Sequence, residues 1–414
     1  MSAPSFKRRL LEKVRRHRAS QLYPYFRAIE EVVSATTVLF RGKKHIMTGS
    51  NNYLGLTHHP TVIKAAKQAI DKYGTGCTGS RFLTGNLDIH EELELKLAEF
   101  VGQEKVLLFS TGMQANLGAL DSLCGAKDCL LMDSDNHASL IDGGRMALGT
   151  VYKYRHNNYE QLEGLLQRYR SRYRRMTLVI DGVFSMTGEL APLPSLVELA
   201  HRYDAQLYVD DAHGIGVVGR QGRGTANHYG LESKIDLHMG TFSKTFSSIG
   251  GFVASDDETI EYLRHTARSL IFSAAMPPSA VATVSACLDV IQKEDWRFDR
   301  LRENVSYMRK GFEAMGLSLY DSSTPIIAID IGDEMKAMEV TRFLQEQHGI
   351  FVTPVIPPAV GRGQALIRTS FTASHTQGEL NTVLEAFDEA RRRYRLPNQE
   401  ARLETPARSE LGSA

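Results

Sequence analysis

Lys244 lies where a lysine could act as a nucleophile. Segment 240–244 (Gly-Thr-Phe-Ser-Lys) follows an apolar run typical of a buried strand and precedes Gly250 and Gly251. Desolvation at the end of a buried strand lowers the pKa of a lysine amine and lets it form an imine with a carbonyl. The hydroxyls of Thr241 and Ser243 could then contact a phosphate. A solvated surface charge is the alternative interpretation of a single lysine.

Asp210 and two histidines could complete a site for an aromatic cofactor. Asp210 and His213 stand three residues apart, just beyond the apolar run 206–209. A carboxylate beside a pyridine nitrogen keeps that nitrogen protonated, so that the ring can accept electrons. His137 follows the apolar run 129–132 and could lie flat on such a ring. Taken singly, the aspartate could equally cap a turn, and His137 could be a structural histidine.

Segment 109–116 (Phe-Ser-Thr-Gly-Met-Gln-Ala-Asn) leads from an apolar run into small residues that can open a helix. Backbone amides at a helix N-terminus bind phosphate without a basic side chain. The segment has neither the Gly-Lys-Ser/Thr of a Walker loop nor the glycine spacing of a dinucleotide fingerprint. An ordinary strand-helix turn is the alternative.

The pattern around these residues predicts a parallel sheet covered by helices. Asp88 followed by Glu91 resembles a helix start, and that helix should end near Gly102. Helical spacing over 193–203 between two apolar runs gives a strand-helix-strand unit. The predicted buried strands cover 106–109, 177–180, 206–209 and 235–239, and the second and third of them flank this helix. Chemistry in such sheets collects outside the carboxyl ends of the strands, where Asp181, Asp210 and segment 241–244 fall.

Composition indicates a soluble globular chain and gives no sign of nucleic-acid binding. The 414 residues are 42% hydrophobic and 23% charged, and Lys+Arg 49 against Asp+Glu 48 leaves a formal charge of +1. Four scattered cysteines predict neither a disulfide framework nor a metal site. The uncharged stretch 269–288 contains a Pro-Pro pair and is interpreted as buried protein rather than a membrane span. Without a visible secretory signal, a cytoplasmic location is expected.

The chain length predicts a large domain with a smaller companion. We expect an N-terminal basic helix and arm over 1–55, a large cofactor-binding domain over 56–290, a small C-terminal domain over 291–396, and a disordered tail over 397–414. Segment 6–18 holds seven Lys/Arg residues and one Glu around a narrow apolar stripe. A solvated helix is the plain interpretation of this segment. Peripheral contact with an anionic membrane, or with an acidic acyl-carrier partner, is the alternative.

Four sequence runs occur together and identify a family. They are Asn-Tyr-Leu-Gly-Leu at 52–56, Asn-His-Ala-Ser at 136–139, Asp-Gly-Val-Phe-Ser-Met-x-Gly at 181–188, and the lysine segment 240–244. By these runs the chain resembles the α-oxoamine synthases, fold-type I enzymes that depend on pyridoxal 5'-phosphate, from about residue 23 to about residue 395. The resemblance implies an α/β fold, with a mostly parallel central sheet in the large domain and a smaller C-terminal α+β domain.

The resemblance also implies roles for individual residues. Lys244 would carry the cofactor as an internal aldimine, Asp210 would hold the pyridinium, and His137 would stack on the ring. His213 and Ser185 would lie near the phenolic oxygen. The phosphate would be contacted by Thr111, Gly112, Met113 and Thr241, with Ser273 reaching it from the partner subunit. Arg368 would bind the amino-acid carboxylate, and Asn51, Ser80 and Arg81 would lie near the substrate. Asp211 departs from the family, which often has glutamate there.

Finer features favour one branch of the family. Segments 23–27, 76–85, 240–244 and 354–358 look like those of bacterial serine palmitoyltransferases. This resemblance implies a homodimer with shared active sites that condenses serine with a long-chain acyl thioester of the palmitoyl-CoA type. Loss of carbon dioxide would give a 3-ketodihydrosphingosine-like aminoketone, the first step of sphingolipid synthesis. The alternatives are a 7-keto-8-aminopelargonate synthase using alanine and pimeloyl thioester, a glycine C-acyltransferase, or a catalytically silent partner subunit. Whether coenzyme A or acyl-carrier protein carries the acyl group is left open.

Overall fold

The computed structural model describes residues 6–20, 22–357, 359–361 and 363–398. The chain divides into two compact units, one of residues 51–301 and one that combines residues 1–50 with residues 302–414. These bounds lie near the predicted domain divisions after residues 55 and 290, which stay predictions. The predicted disordered tail lies outside the described residues from residue 399 onward.

A seven-stranded sheet forms the centre of the 51–301 unit. Six strands are mutually parallel, and the seventh, Gly251–Ser255, runs antiparallel to both of its neighbours. In spatial order the strands are β4 (Lys105–Phe109), β10 (Gly251–Ser255), β9 (Leu237–Thr241), β8 (Gln206–Asp210), β7 (Arg175–Asp181), β5 (Asp128–Asp133) and β6 (Thr150–Tyr154). Strands β5, β9 and β10 are buried along their whole length, as expected for a sheet covered on both faces.

The predicted strands are confirmed, with one shift in bounds. The run 235–239 was expected to form a strand, whereas β9 begins at Leu237 and continues to Thr241. Ile235 is buried from the preceding loop, and Asp236 accepts a hydrogen bond from the Leu207 amide at 2.7 Å. The apolar run therefore starts before the strand because a core loop residue precedes it.

Helices cover the sheet in this unit. They are α2 (Pro60–Tyr73), α3 (Asp88–Val101), α4 (Gly112–Leu123), α5 (Ala138–Met146), α6 (Tyr159–Tyr169), α7 (Leu193–Arg202), α8 (Thr225–His228), α9 (Asp257–Thr266), α10 (Arg268–Ile271) and α11 (Pro278–Lys293). One core cluster packs α6 and α7 against the sheet, and another packs α4 and α9 against it.

Helix α3 begins at Asp88 as predicted, but its first turn is held differently from the expected pairing with Glu91. The amide of Leu87 donates to His90 Nδ1 at 3.1 Å, whereas Glu91 accepts from Asn86 Nδ2 at 2.8 Å. The helix ends at Gly102, whose φ of 71° is a left-handed conformation that glycine adopts without strain.

Helix α11 accounts for most of the uncharged stretch 269–288. Its side chains Val281, Val284, Cys287 and Leu288 are buried, which confirms the interpretation of this part as core. Across the described ranges, we find no helix with the length and apolar character needed to cross a membrane.

The second unit contains two small sheets. One has the order β1 (Glu31–Val32), β2 (Thr37–Phe40), β3 (Lys43–Met47) and β12 (Ile350–Phe351), and the other has β11 (Ile326–Asp330), β14 (Leu366–Ser370) and β13 (Thr353–Val355). Its helices are α1 (Phe6–Ala19), the later part of α12 (Trp296–Ala314), α13 (Glu334–His348) and α14 (Gln377–Tyr394). Because β12 pairs in parallel with β3, the N-terminal arm shares a sheet with C-terminal residues.

We expect Gly240→Ala to destabilise the central sheet. Gly240 pairs with Phe252 on the neighbouring strand, and an added Cβ would overlap the Phe252 ring. That ring is fully buried and stacked on Phe242, so it has little room to move. Overpacking of this kind costs about 1–3 kcal/mol, which should lower the midpoint of urea denaturation followed by circular dichroism.

Gly164→Ala is the matched control for this substitution. Gly164 lies exposed in α6 with open space around its Cα. Alanine there should leave the free energy of unfolding unchanged or increase it by up to about 1 kcal/mol, so the urea midpoint should stay the same or rise. Equal midpoints for Gly240→Ala and the unaltered protein would show that the strands can separate to admit a methyl group.

Candidate active site

Polar side chains gather at one edge of the central sheet because its parallel strands end there. Asp133, Asp181, Asp210 and Thr241 are the last residues of β5, β7, β8 and β9. Asp181 and Asp210 stand directly opposite each other in the strand register. All four residues are buried. The prediction that Asp181, Asp210 and Thr241 fall at the ends of strands is therefore confirmed.

Asp210 is held by a hydrogen-bond network that the sequence did not reveal. Asn116, on α4, donates from Nδ2 to Asp210 Oδ2 at 2.6 Å and to Ser139 Oγ at 2.8 Å. The Asn116 carbonyl oxygen accepts from the Tyr208 hydroxyl at 2.8 Å. The second Asp210 oxygen accepts from the Ala212 amide at 3.0 Å. The carboxylate is thus fixed in position from two sides.

His137 is joined to the same network through Ser139. Its Nδ1 lies 2.7 Å from Ser139 Oγ and accepts from the Ser139 amide at 3.3 Å. Since Nδ1 acts as an acceptor, a neutral ring carries its proton on Nε2. The His137 amide donates to Asp181 Oδ2 at 2.7 Å, while the residue itself is exposed. One face of this histidine is therefore accessible beside the buried carboxylates.

Asp181 differs electrostatically from Asp210. Complete burial and the neighbouring charge of Asp210 raise the pKa of Asp181 well above its usual range, although the His137 amide and the charge of Lys244 act in the opposite direction. A proton on Asp181 removes the repulsion between two facing carboxylates.

The predicted phosphate turn is a helix N-terminus. Thr111 caps α4, accepting from the Gln114 amide at 3.1 Å. Gly112 lies so close to the end of β9 that an added Cβ would be 2.7 Å from Thr241 Oγ1. Met113 is exposed at 47% on the first turn of the helix. The structure therefore brings the turn and Thr241 together, as a phosphate site would require.

Lys244 and Ser185 lie in turns that follow strands β9 and β7. Both residues are partly buried, and the charge of Lys244 lowers the pKa of Asp181, which places the amine near the carboxylate edge. Ser185 lies in the turn closed by the pairing of Val183 with Leu190.

Tyr53 connects two predicted site residues. It was not itself predicted as a site residue, although it lies within the family motif at 52–56. Its hydroxyl donates to Asn51 Oδ1 at 3.1 Å and lies 2.8 Å from His213 Nδ1. A phenol has one proton, so the hydroxyl that donates to Asn51 accepts from His213 Nδ1–H. This arrangement fixes the ring of His213 and places its proton on Nδ1.

Arg81 and Ser80 occupy a different environment from the strand ends. Arg81 forms a bidentate pair with Glu94, and its Nε donates to Asn86 at 2.8 Å. The Arg81 and Glu94 side chains are each 8% exposed, so the guanidinium has a structural contact whatever else it does. Ser80 is buried, and its Oγ has no hydrogen-bond partner among the described residues. Their contacts with substrate stay predictions.

Ser273 and Arg368 are placed by other elements. Ser273 Oγ lies 2.7 Å from Gln114 Nε2, so it stands near the α4 N-terminus of its own chain. Arg368 lies on β14 of the second unit, where it is buried and donates to Ser370 Oγ at 2.8 Å.

Asp211 has a structural environment that explains its size. Its Oδ2 accepts from the Thr225 amide at 2.6 Å and lies 3.0 Å from His238 Nε2. A Cβ on Gly182 would come within 2.7 Å of Asp211 Oδ1. This packing favours an acid without an extra methylene at this position.

His156 adds a charged group beside the site. Burial disfavours its charged form, but hydrogen bonds to Asp133 and Glu189 raise the pKa of His156 to about 10. Its ring packs edge-on against Phe184, next to the Ser185 turn. His156 is therefore cationic at neutral pH and neutralises Asp133.

These residues fit pyridoxal 5'-phosphate. The donor set offers a helix N-terminus for the phosphate, a buried carboxylate for the pyridine nitrogen, and an amine near that carboxylate. The tight approach of Gly112 to Thr241 supplies a cradle that a Cβ at residue 112 would fill. Among the described residues, no group of three or more His, Cys, Asp or Glu side chains is arranged to hold a metal ion.

Comparison with known proteins finds a matching family model and relatives that are named as enzymes of this kind. The family model for class I and II aminotransferases matches residues 43–387. A serine palmitoyltransferase of Bacteriovorax stolpii is 56% identical over 390 residues, which cover 94% of this chain and 92% of the relative. An 8-amino-7-oxononanoate synthase of Thermoanaerobacter pseudethanolicus is 42% identical, with coverage of 86% and 90%.

Solved structures agree with these relatives. The structure of a Sphingomonas wittichii serine palmitoyltransferase superposes with a TM-score of 0.92 at 35% identity, covering 96% of this chain and 100% of that one. A high-resolution serine palmitoyltransferase structure, described as a pyridoxal-phosphate internal aldimine, gives the same values.

The fold, the strand-end site and these matches define the class: the chain belongs to the class I and II aminotransferase family and has the fold-type I architecture. Within that family it is a pyridoxal-phosphate-dependent C-acyltransferase of the α-oxoamine synthase group. The resemblance seen in the sequence motifs is confirmed.

We expect Tyr53→Phe to weaken the preference of the neutral His213 ring for carrying its proton on Nδ1. Loss of a hydrogen bond worth about 0.5–1.5 kcal/mol should change the ratio of its two neutral tautomers by about 2–12-fold. Histidine side-chain ¹⁵N NMR, with the His213 signals assigned from a His213→Asn sample, measures this ratio at a pH where the ring is neutral.

Tyr173→Phe is the matched control because it also removes one tyrosine hydroxyl, bonded to Tyr152 at 2.8 Å. It should leave the His213 signals unchanged. Identical His213 signals in Tyr53→Phe and the unaltered protein would remove Tyr53 from the positioning role.

Proposed function

We propose that this chain is a serine C-palmitoyltransferase. It condenses serine with a long-chain acyl thioester of the palmitoyl-CoA type, releases carbon dioxide and forms a 3-ketodihydrosphingosine-like aminoketone, the first step of sphingolipid synthesis. The 56% identical relative named serine palmitoyltransferase supports the choice of substrates.

The observation that carries the proposal is the buried carboxylate of Asp210, bonded by Asn116 and Ala212 and placed on the same edge as Lys244. Bound pyridoxal phosphate supplies an aldehyde for attachment of an amine and a ring that accepts electrons. Asp210 would hold the proton on the pyridine nitrogen, and His137 would cover one face of the ring. Thr111, Gly112, Met113 and Thr241 would bind the phosphate.

Lys244 would first bind the cofactor covalently and then act as the base. Displaced by the amine of serine, its Nζ would take the proton from the α-carbon of the amino acid. His213 would contact the phenolic oxygen of the cofactor together with Ser185, in the orientation set by Tyr53.

Arg368 would bind the carboxylate of the amino acid through the planar fork of its guanidinium. Asn51, fixed by the Tyr53 hydroxyl, would lie next to the substrate. Acylation at the α-carbon followed by loss of this carboxylate as carbon dioxide would give the aminoketone. The acyl group arrives on coenzyme A or on acyl-carrier protein.

The relative named 8-amino-7-oxononanoate synthase favours one second candidate, condensation of alanine with pimeloyl thioester. A glycine C-acyltransferase would use the same residues. A silent partner subunit fits the chain less well, because such a subunit needs neither the lysine amine nor a buried carboxylate held for a pyridine nitrogen.

We further propose a cytoplasmic homodimer with shared active sites. Loop 74–85 and Ser273 resemble family segments that complete a partner's site. Residues of this loop pack on residues just after Ser273: the Ala275 amide donates to the Gly79 carbonyl at 2.9 Å, and Cys77 Sγ donates to the Met276 carbonyl at 3.2 Å. Exposed apolar side chains flank them, with Leu83 at 77% and Phe272 at 73%. Burial of such side chains favours a subunit interface. We also propose that the protein contacts a membrane surface peripherally through α1.

Serine with palmitoyl-CoA should release carbon dioxide faster than alanine with pimeloyl-CoA. A site that bonds the serine hydroxyl leaves polar groups unpaired with alanine, and burying the distal carboxylate of pimelate without a partner is costly. A panel of serine, alanine and glycine with each thioester measures this, with product masses to identify the aminoketone and Lys244→Ala as the inactive control. Faster turnover of alanine with pimeloyl-CoA would refute the sphingolipid assignment but keep the family assignment.

Mixed dimers test the shared site. If Lys244 of one subunit works with residue 80 of the other, a Lys244→Ala subunit paired with a Ser80→Asp subunit retains one functional site of the two. The crossed control pairs a Lys244→Ala/Ser80→Asp double variant with the unaltered subunit, which should then be inactive. Activity in the crossed control and none in the first pair would show that each subunit has its own complete site. Native mass spectrometry of tagged subunits confirms the pairing.

A further inference from the structure

The unit of residues 1–50 and 302–414 contains a cavity. Its volume is about 300 Å³, at the lower end of the range for small-molecule sites. One wall is the segment from Leu22 to Arg27, another is the hairpin of β2 and β3, and the third is α13. Segment 23–27 is one of the runs that distinguish this chain's branch, and the proposed reaction gives it no role.

The lining of this cavity is strongly cationic. It holds Arg27, Arg41, Lys43 and Arg342 against a single carboxylate, Glu346. Arg41 reaches Glu346 at 3.4 Å, and both side chains are largely exposed, so this pair is weak. Three cations then face the cavity without a carboxylate partner among the described residues.

Arg27 is the most deeply placed of these cations. It donates to the carbonyl oxygens of Pro24 at 2.8 Å and Val352 at 3.2 Å, and its guanidinium stacks on the Phe351 ring at 4.7 Å. Those bonds use two of its five N–H groups, and neither acceptor carries a charge. Burial and the charge of Arg41 lower the pKa of Arg27 to about 10. An anion in the cavity would relieve both effects.

The rest of the lining combines the polar residues His45, Thr341 and Gln345 with apolar and aromatic side chains. Leu22, Pro24 and Met338 contribute aliphatic surface, and the rings of Tyr23 and Phe40 lie beside the cations. A ligand that matches this lining carries a compact anionic group at one end and a small apolar or aromatic group at the other. The guanidinium forks of Arg27 and Arg342 suit the oxygens of a phosphate better than a single point charge would.

We propose that this cavity binds an organic phosphate monoester. The phosphate lies among Arg27, Arg342 and Lys43, and the organic part lies against Tyr23 and Met338. The ligand arrives either as a free small molecule or as the headgroup of a phosphate-bearing lipid, and both present the same terminal group. The site is separate from the residues that hold the cofactor and does not depend on the proposed reaction.

Phenyl phosphate is the probe for the free ligand, and vesicles that contain phosphatidic acid are the probe for the lipid. Calorimetric titration uses the holoenzyme in a phosphate-free buffer, so that pyridoxal phosphate already fills the cofactor site. We expect phenyl phosphate to bind more tightly than inorganic phosphate because its ring contacts the apolar wall. Cosedimentation with phosphatidic acid vesicles, but no binding of phenyl phosphate, would assign the site to a lipid headgroup.

Arg342→Gln and Lys43→Gln should each weaken binding of the successful probe about ten-fold, the loss expected for one charged contact. Both side chains lie at the cavity edge, so these variants test the site even if Arg27→Gln, which loses the contacts to Pro24 and Val352, does not fold. Lys310→Gln removes one exposed positive charge from α12, outside the cavity lining, and should leave affinity unchanged. The proposal fails if neither probe binds, or if Arg342→Gln and Lys43→Gln bind as well as Lys310→Gln.

Discussion

The structure of the site depends on the cost of burying the carboxylate of Asp210. An isolated charge in a low-dielectric interior is strongly unfavourable unless hydrogen bonds and opposite charge compensate it. Here Asn116 supplies one hydrogen bond and the Ala212 amide another. The Asn116 side chain is itself held in place, because its oxygen accepts from the Tyr208 hydroxyl and its Nδ2 also donates to Ser139 Oγ. The same serine then positions His137, so one asparagine couples the carboxylate to the histidine.

A second buried carboxylate at the same edge would be destabilising if it were also charged. Burial and the charge of Asp210 raise the pKa of Asp181, which favours the neutral form of Asp181 and lessens the repulsion within the facing pair. Further along the edge, the cationic His156 compensates Asp133. The strand ends thus carry three aspartates in different environments, and Asp210 is the one that Asn116 holds.

Local pattern was sufficient to predict the strands, the start of α3 and the positions of Asp210, Thr241 and Lys244, because these depend on short apolar runs and on parallel strands ending together. Long-range contacts were not predictable in this way. Tyr53 reaches His213 across 160 residues of sequence, and Asn116 reaches Asp210 across 94. Nothing near Tyr53 or Asn116 in the sequence signals these partners. Likewise, the pairing of β3 with β12 joins segments about 300 residues apart and was missed.

A charged residue in a family motif can be catalytic or structural, and the motif alone does not distinguish the two roles. Arg81 and Asp211 both stand in segments that resemble functional motifs, yet Arg81 is paired with Glu94, and Asp211 binds the Thr225 amide and His238. Charges satisfied in this way hold loops in place. Lys244 instead lies near the strand-end aspartates, where its charge lowers the pKa of Asp181. Arg27 differs because it is partly buried and the acceptors of its hydrogen bonds are neutral carbonyls. What marks a cation for ligand binding in this chain is therefore the chemistry of its partners as well as its burial.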